Sequence, residues 1–264
     1  MKTRNLFLLG LAATMLAGCG GAKDYKNEVT KEVFSESLNN LVKDNPLFNF
    51  EKPYSFTFEM NSVEKKSSIL LMNGKELSKG GDEVESEKEV NFDSSKPAAS
   101  ITSNSIGKEF GPGSEEEGKF ETNIVFQGGN NVMYEVDKLS KTYDEDETEE
   151  VALEIFEEAM DEMDRIIQEF TKAINISDKA KYYADNNVYT IVNEYTDVQT
   201  DHNDSYKEIY QIVVNNDSLE YYRKSEIELK TLNYTSTRYT EKSAKLVKKN
   251  VSVDTVDLKD YMKQ

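Results

Sequence analysis

The sequence predicts an α+β fold: a largely antiparallel β-sheet, built as a half-open barrel or curved meander, with two principal amphipathic helices packed on it. Three observations predict it. Apolar residues recur at helical spacing over 27–42 and 147–174. Most other apolar segments alternate with polar residues at period two, as strands with one wet face do. Turn signals punctuate those strands, above all Asn73-Gly74, Gly128-Gly129-Asn130-Asn131, Asp185-Asn186-Asn187 and Asn215-Asn216-Asp217-Ser218. Apolar content is 37%, yet 15 Tyr and 12 Phe supply bulk with high β-propensity.

The first helix, 27–42, carries Val29, Val33, Phe34, Leu38, Leu41 and Val42 on one stripe, and Asn45-Pro46 stops it. Tyr54, Phe56, Phe58 and Met60 then alternate with Ser55, Thr57 and Glu59 as a strand. Ile69 to Met72 forms an apolar segment before Asn73-Gly74. Mixed charge over 74–119 predicts only weak strands near 86–92 and 98–106, then a mobile loop around 107–118. Residues 120–127 and 132–139 flank the next hairpin signal. The acids 144–147 read as the start of the long helix, with Asp146 and Glu149 at capping-box spacing. Its stripe is Val151, Ile155, Phe156, Ala159, Met160, Met163, Ile166, Ile167, Phe170 and Ile174, with acids early and Arg165 and Lys172 late. Strands follow at 182–184, 188–198, 206–214, 219–229, 232–240 and 246–253. In the fourth, Leu219, Tyr221, Ser225, Ile227 and Leu229 share one face, against Glu220, Tyr222, Lys224, Glu226 and Glu228.

Cys19, the one cysteine, ends Leu16-Ala17-Gly18-Cys19 behind an apolar run and a positive start at Lys2 and Arg4. This segment resembles the lipobox of bacterial lipoproteins. The resemblance implies removal of residues 1–18, acylation of Cys19 and a membrane-anchored, extracytoplasmic product, in which 19–26 read as the acylated Cys and tether and the helix–meander–helix–meander order makes 27–264 a single α+β domain whose halves would be 27–143 and 144–264. Two acyl chains anchor stably where one does not. The apolar run is shorter than the roughly 20 residues of a membrane-spanning helix.

Removing two cations and no acid takes the formal charge from −18 to −20. That charge argues against nucleic acid, whose binding needs Lys and Arg on phosphates, and against a basic patch for anionic lipid.

Residues able to carry chemistry are sparse. Glu154, Glu158, Asp161 and Glu162 share a helix face, but a di-metal helical site also needs Glu-x-x-His on partner helices, so a solvated face is expected. Asp201-His202-Asn203-Asp204 holds the single histidine, but it lacks the Gly and Glu of a calcium loop and reads as a hairpin tip. Asp144 to Glu150 fails the same template. Neither a Gly-x-Ser-x-Gly elbow nor a phosphate-binding glycine loop is present. We therefore expect no enzyme, no catalytic residue, no metal and no cofactor.

The aromatics on strand faces are the stronger lead. Tyr54, Phe56, Phe58, Phe120, Phe126, Tyr189, Tyr195, Tyr210 and Tyr221 either line an apolar ligand cavity or form an ordinary core. The order helix 27–42, strands 53–139, helix 147–174, strands 180–253 is similar to that of the LolA/LppX group. That resemblance implies a half-open barrel closed by helices that binds or shuttles a lipid-like molecule beside the membrane. The rival expectation is a surface lipoprotein of the protein-binding or adhesion class with no internal ligand.

Overall fold

The computed structural model describes residues 22–43, 45, 47, 54–94, 98–111, 118–128, 132–146, 151–251, 253 and 255–264, except the side chains of 118–120, 146 and 151–153. The lipobox and Cys19 lie outside the described residues. Among the described residues two α-helices, α1 (Lys31–Lys43) and α2 (Val151–Ala173), pack on a sheet of thirteen strands. In chain order these are β1 (Glu28–Val29), β2 (Phe56–Met72), β3 (Lys75–Asp93), β4 (Ala98–Phe110), β5 (Gly118–Gly128), β6 (Met133–Asp137), β7 (Thr142–Asp146), β8 (Lys181–Asp185), β9 (Val188–Val198), β10 (His202–Val214), β11 (Ser218–Thr231), β12 (Tyr234–Lys248) and β13 (Met262–Lys263). The spatial order β1-β8-β9-β10-β11-β12-β2-β3-β4-β5-β6-β7-β13 leaves two edges, so the sheet is open. Every pairing is antiparallel except β13 with β7. β12 pairs with β2 along its whole length, so the two halves of the chain share one sheet.

Several boundaries differ from the sequence pattern, each for a local reason. The first helix starts at Lys31 because Asn27 turns the backbone at φ 63° and its amide binds the Ala184 carbonyl at 2.7 Å. Glu28–Val29 are thereby spent on an edge strand beside β8, and Thr30 caps the helix through the Val33 N–H at 3.4 Å. Of the acids expected to lead into the long helix, Asp144–Asp146 belong to β7, where Lys263 pairs with Glu145 at 2.6 Å, and Glu147 and Glu149 lie outside the described residues. Residues 107–110, expected in a loop, complete β4, while 112–117 lie outside the described residues. The expected strands 232–240 and 246–253 are one strand, β12, which ends at Lys248.

The largest difference is the length of β2 and β3, at 17 and 19 residues. Their first and last residues, respectively, lie under the helices and carry Phe56, Phe58, Val90 and Phe92. Beyond that level the strands run free, and the apolar alternation stops. Cross-strand polar pairs replace it: Ser62 with Ser86 at 2.7 Å, Lys66 with Asp82 at 3.4 Å, Lys65 with Glu83, Arg238 with Glu64 at 2.7 Å, and Ser67 with Thr237 at 2.7 Å. Asn73 and Gly74, at φ 52° and 74°, make the expected tight hairpin turn between them.

The core is one cluster between the helices and the sheet. Phe156 of α2 meets the rings of Tyr54, Phe56 and Phe92 at 6.0, 5.9 and 5.2 Å. Phe34 of α1 meets Phe170, Tyr182 and Tyr189 at 6.2, 5.3 and 5.5 Å. Burial of each such ring contributes about 1.5–3 kcal/mol. The buried stripe of α2 runs through Ile155, Phe156, Ala159, Met160, Met163, Ile166, Phe170 and Ala173. Ile167 is only half-buried.

A candidate ligand-binding hollow on the open half of the sheet

The strand registers set the helix-facing side chains in rows across the sheet. Nearest the helices stand Phe58, Leu246, Leu219 and Val90, then Met60, Ala244, Tyr221, Ile212 and Tyr189. One step further, Arg223 and Lys242 face each other across β11 and β12. Like charges directly opposite repel, but each has its own acid on α2. Arg223 pairs with Glu169, and Lys242 with Glu162 at 3.3 Å. Lys88 of β3 holds Glu158 at 2.5 Å. The acidic face expected to be solvated is thus partly a set of clamps onto the sheet. Next to Arg223, buried Glu208 accepts from Asn193 at 2.9 Å and from Tyr210 at 3.1 Å, and the Arg223 guanidinium lies 5.2 Å from the Tyr210 ring. Burial foremost raises the Tyr210 and Tyr221 hydroxyls well above the usual phenol range.

Past these clamps the sheet holds a hollow of about 690 Å³. It takes three successive residues from each of β9 (194–196), β10 (205–207), β11 (226–228), β12 (237–239) and β2 (65–67), with Asp82, Glu83 and Phe110. Within each triplet the central residue belongs to the helix-bearing face and its two neighbours to the other face, and the central residues form one row in register: Tyr195, Tyr206, Ile227, Arg238, Lys66, Asp82. The row is apolar at its β9 end and charged at its β3 end. Tyr195 and Tyr206 stack at 4.7 Å and 16°, and Lys179 lies 4.7 Å from the Tyr195 ring. On the opposite face of that charged end Glu83, partly buried, is held below the usual carboxylate range against that burial by Lys108 and Lys65. Glu64 is lowered likewise by Arg238 and Lys66. Both carboxylates therefore stabilise the fold above pH 4.5, and that contribution is lost as pH falls through their lowered values.

Phe110 reaches the hollow over Gly81, its partner in register. A Cβ on Gly81 would collide with the Lys66 carbonyl and meet Phe110 Cζ at 2.8 Å. Gly81→Val should therefore cost about 1–3 kcal/mol in urea unfolding, as overpacking does.

Of the aromatics expected to line a cavity, Tyr54, Phe56, Phe58, Tyr189, Tyr210 and Tyr221 are buried in the core beneath the two helices, and Phe126 packs at its margin. Tyr54 donates to the Leu47 carbonyl at 3.0 Å, and burial pushes its hydroxyl up to about 12. Tyr195 is the member of that set that lines the hollow. The side chain of Phe120 lies outside the described residues. Sequence reasoning missed Tyr206, Ile227 and Arg238 as site residues. Tyr206 was within reach, since closing the hairpin after Val198 sets it opposite Tyr195.

His202, expected at a hairpin tip, is the first residue of β10 and accepts at its carbonyl from the Gln199 N–H at 2.9 Å across the β9/β10 turn, beside Asp201 at 3.0 Å and Asp204 at 3.9 Å. The Asp201 hydrogen bond foremost, with the Asp204 charge, raises the imidazole above its ordinary 6.5. Its contribution to stability is present below pH 6.5 and lost as pH rises through the raised value. An NMR titration should give a midpoint above 6.5, and Asp201→Asn should lower it. Among the described residues, no group of three or more His, Cys, Asp or Glu is placed to hold a metal, and no helix is long and apolar enough to cross a membrane. Compared with protein families and with curated proteins, the chain matches none.

Proposed function

We propose that this protein is an extracytoplasmic, lipid-anchored binding protein, held at a membrane through Cys19, which takes up an amphipathic, lipid-like molecule in the hollow on the open half of its sheet. One observation carries the reading: the row Tyr195, Tyr206, Ile227, Arg238, Lys66, Asp82 changes from apolar to charged along a single sheet face. Such a row matches an acyl chain at its β9 end and a charged headgroup at its β3 end. A chain segment desolvated there gains about 25 cal/mol per Å² of apolar area. The open sheet with two helices on one face is compatible with a half-open barrel of the LolA/LppX type. The protein acts by binding, without catalysis, cofactor or nucleic acid.

A second reading rests on its own observation. Most aromatics expected to line an internal cavity are packed core, and the hollow's rim carries both signs of charge. A protein partner docking on the rim would suit those features, as in a surface lipoprotein of the adhesion class.

Native mass spectrometry of residues 20–264, purified without detergent from cells, separates the two. Retained lipid that is lost in Ile227→Glu supports the carrier. A mass equal to the bare chain supports the partner-binding protein.

A further inference from the structure

Of the twelve large apolar side chains exposed among the described residues, six sit at the ends of two neighbouring hairpins: Leu70, Met72 and Leu77 on β2/β3, and Leu229, Leu232 and Tyr234 on β11/β12. Leu232, Met72 and Leu77 are 85%, 62% and 61% exposed. The two ends are one surface. Tyr234 is opposite Leu70 in register, and the Leu71 N–H donates to the Asn233 carbonyl at 2.8 Å. Isolated aliphatic residues are ordinary on a surface, but six gathered at one end of a sheet are not.

The charge there is opposite in sign to that of the whole chain. Within residues 70–79 and 229–234 stand Lys75, Lys79 and Lys230 against the single acid Glu76, in a chain of formal charge −18. Net charge therefore does not describe this end of the molecule. Aliphatic tips ringed by long Lys stems and a Tyr have the distribution of side chains that settle at a membrane interface, with methyl groups in the acyl boundary and ammonium groups among phosphates. The next hairpin along, β9/β10, carries Asp197, Asp201 and Asp204. Those acids are repelled by an anionic surface and tilt the other two tips toward it.

We infer that the joined ends of β2/β3 and β11/β12 form a docking surface for a phospholipid bilayer bearing anionic headgroups. This contact is separate from the acyl anchor and does not depend on what the hollow binds.

The test uses residues 20–264, which hold every described element, carrying no acyl group. The protein is sedimented with vesicles of phosphatidylcholine alone and of phosphatidylcholine with phosphatidylglycerol in equal parts. Binding is expected on the mixed vesicles and weak on the neutral ones. Met72→Glu with Leu232→Glu should lower the bound-to-free ratio about ten-fold. Lys75→Glu, Lys79→Glu and Lys230→Glu together should remove the preference for anionic lipid. Leu139→Glu, exposed elsewhere, should change nothing. Absence of binding by the unaltered chain, or equal binding by the tip variants, overturns the inference. So does a concentration-dependent dimer in light scattering that the tip variants abolish, since a second copy would then cover this surface. Circular dichroism keeps loss of fold apart from loss of docking. Lipid retention in the hollow is measured without vesicles, so the two ideas fail independently.

Discussion

Phe156→Ala is expected to lower stability by about 3–5 kcal/mol, measured by urea unfolding, because a buried ring is deleted from a site that cannot collapse. Phe156 is 4% exposed and touches Tyr54, Phe56 and Phe92 at once. Those three rings come from the start of β2, the segment before it and the end of β3, so no single side chain can move in to fill the void. α2 would lose its hold on the level of the sheet where the long strands first become buried. Glu154→Ala, on the exposed face of the same helix, should change stability by less than about 0.5 kcal/mol. Similar losses from the two variants would mean that α2 is not held by its apolar stripe.

Glu169→Ala should cost about 2–3 kcal/mol, the value of a hydrogen-bonded charge left without its partner. The loss comes from what remains behind. Arg223 would keep its guanidinium against the Tyr210 ring and directly across from Lys242, with the compensating acid gone. Burial opposes the charge on Arg223, while Tyr210 and Glu169 foremost favour it. Arg223→Met placed in the Glu169→Ala background should therefore recover much of the loss, since it removes the stranded charge and keeps the aliphatic stem. Glu158→Ala breaks a more exposed pair with Lys88 and should cost no more than about 1 kcal/mol.

Where apolar periodicity was present, the sequence was legible. The stripe of α2, the alternation of 219–229 and the Asn73-Gly74 turn each report a physical constraint that acts within a few residues. Most of the distal halves of β2 and β3 was not legible, because among the described residues no helix covers them and the run between Glu64 and Ser68 carries no apolar alternation. Lys65, Lys66, Asp82 and Glu83 are ordered by pairing with one another across strands, and a single strand read alone shows only a charge run. The charged end of the hollow lies in that stretch, which is why Tyr195 could be named from its strand while Lys66 and Asp82 could not. The clamps of α2 were hidden for the same reason. Glu158, Glu162 and Glu169 read as a wet helix face until the sheet supplies Lys88, Lys242 and Arg223.

Titration of residues 20–264 with a fluorescent single-chain phospholipid tests most directly whether the hollow is a lipid-like site. Saturable binding at one site per chain is expected. Ile227→Glu should weaken it about ten-fold or more, because a carboxylate would have to be buried beneath the acyl chain, and the unfolding midpoint should stay near that of the unaltered protein. No saturable binding by the unaltered chain, or equal binding by Ile227→Glu, would contradict the assignment and leave the hollow as a rim for a protein partner.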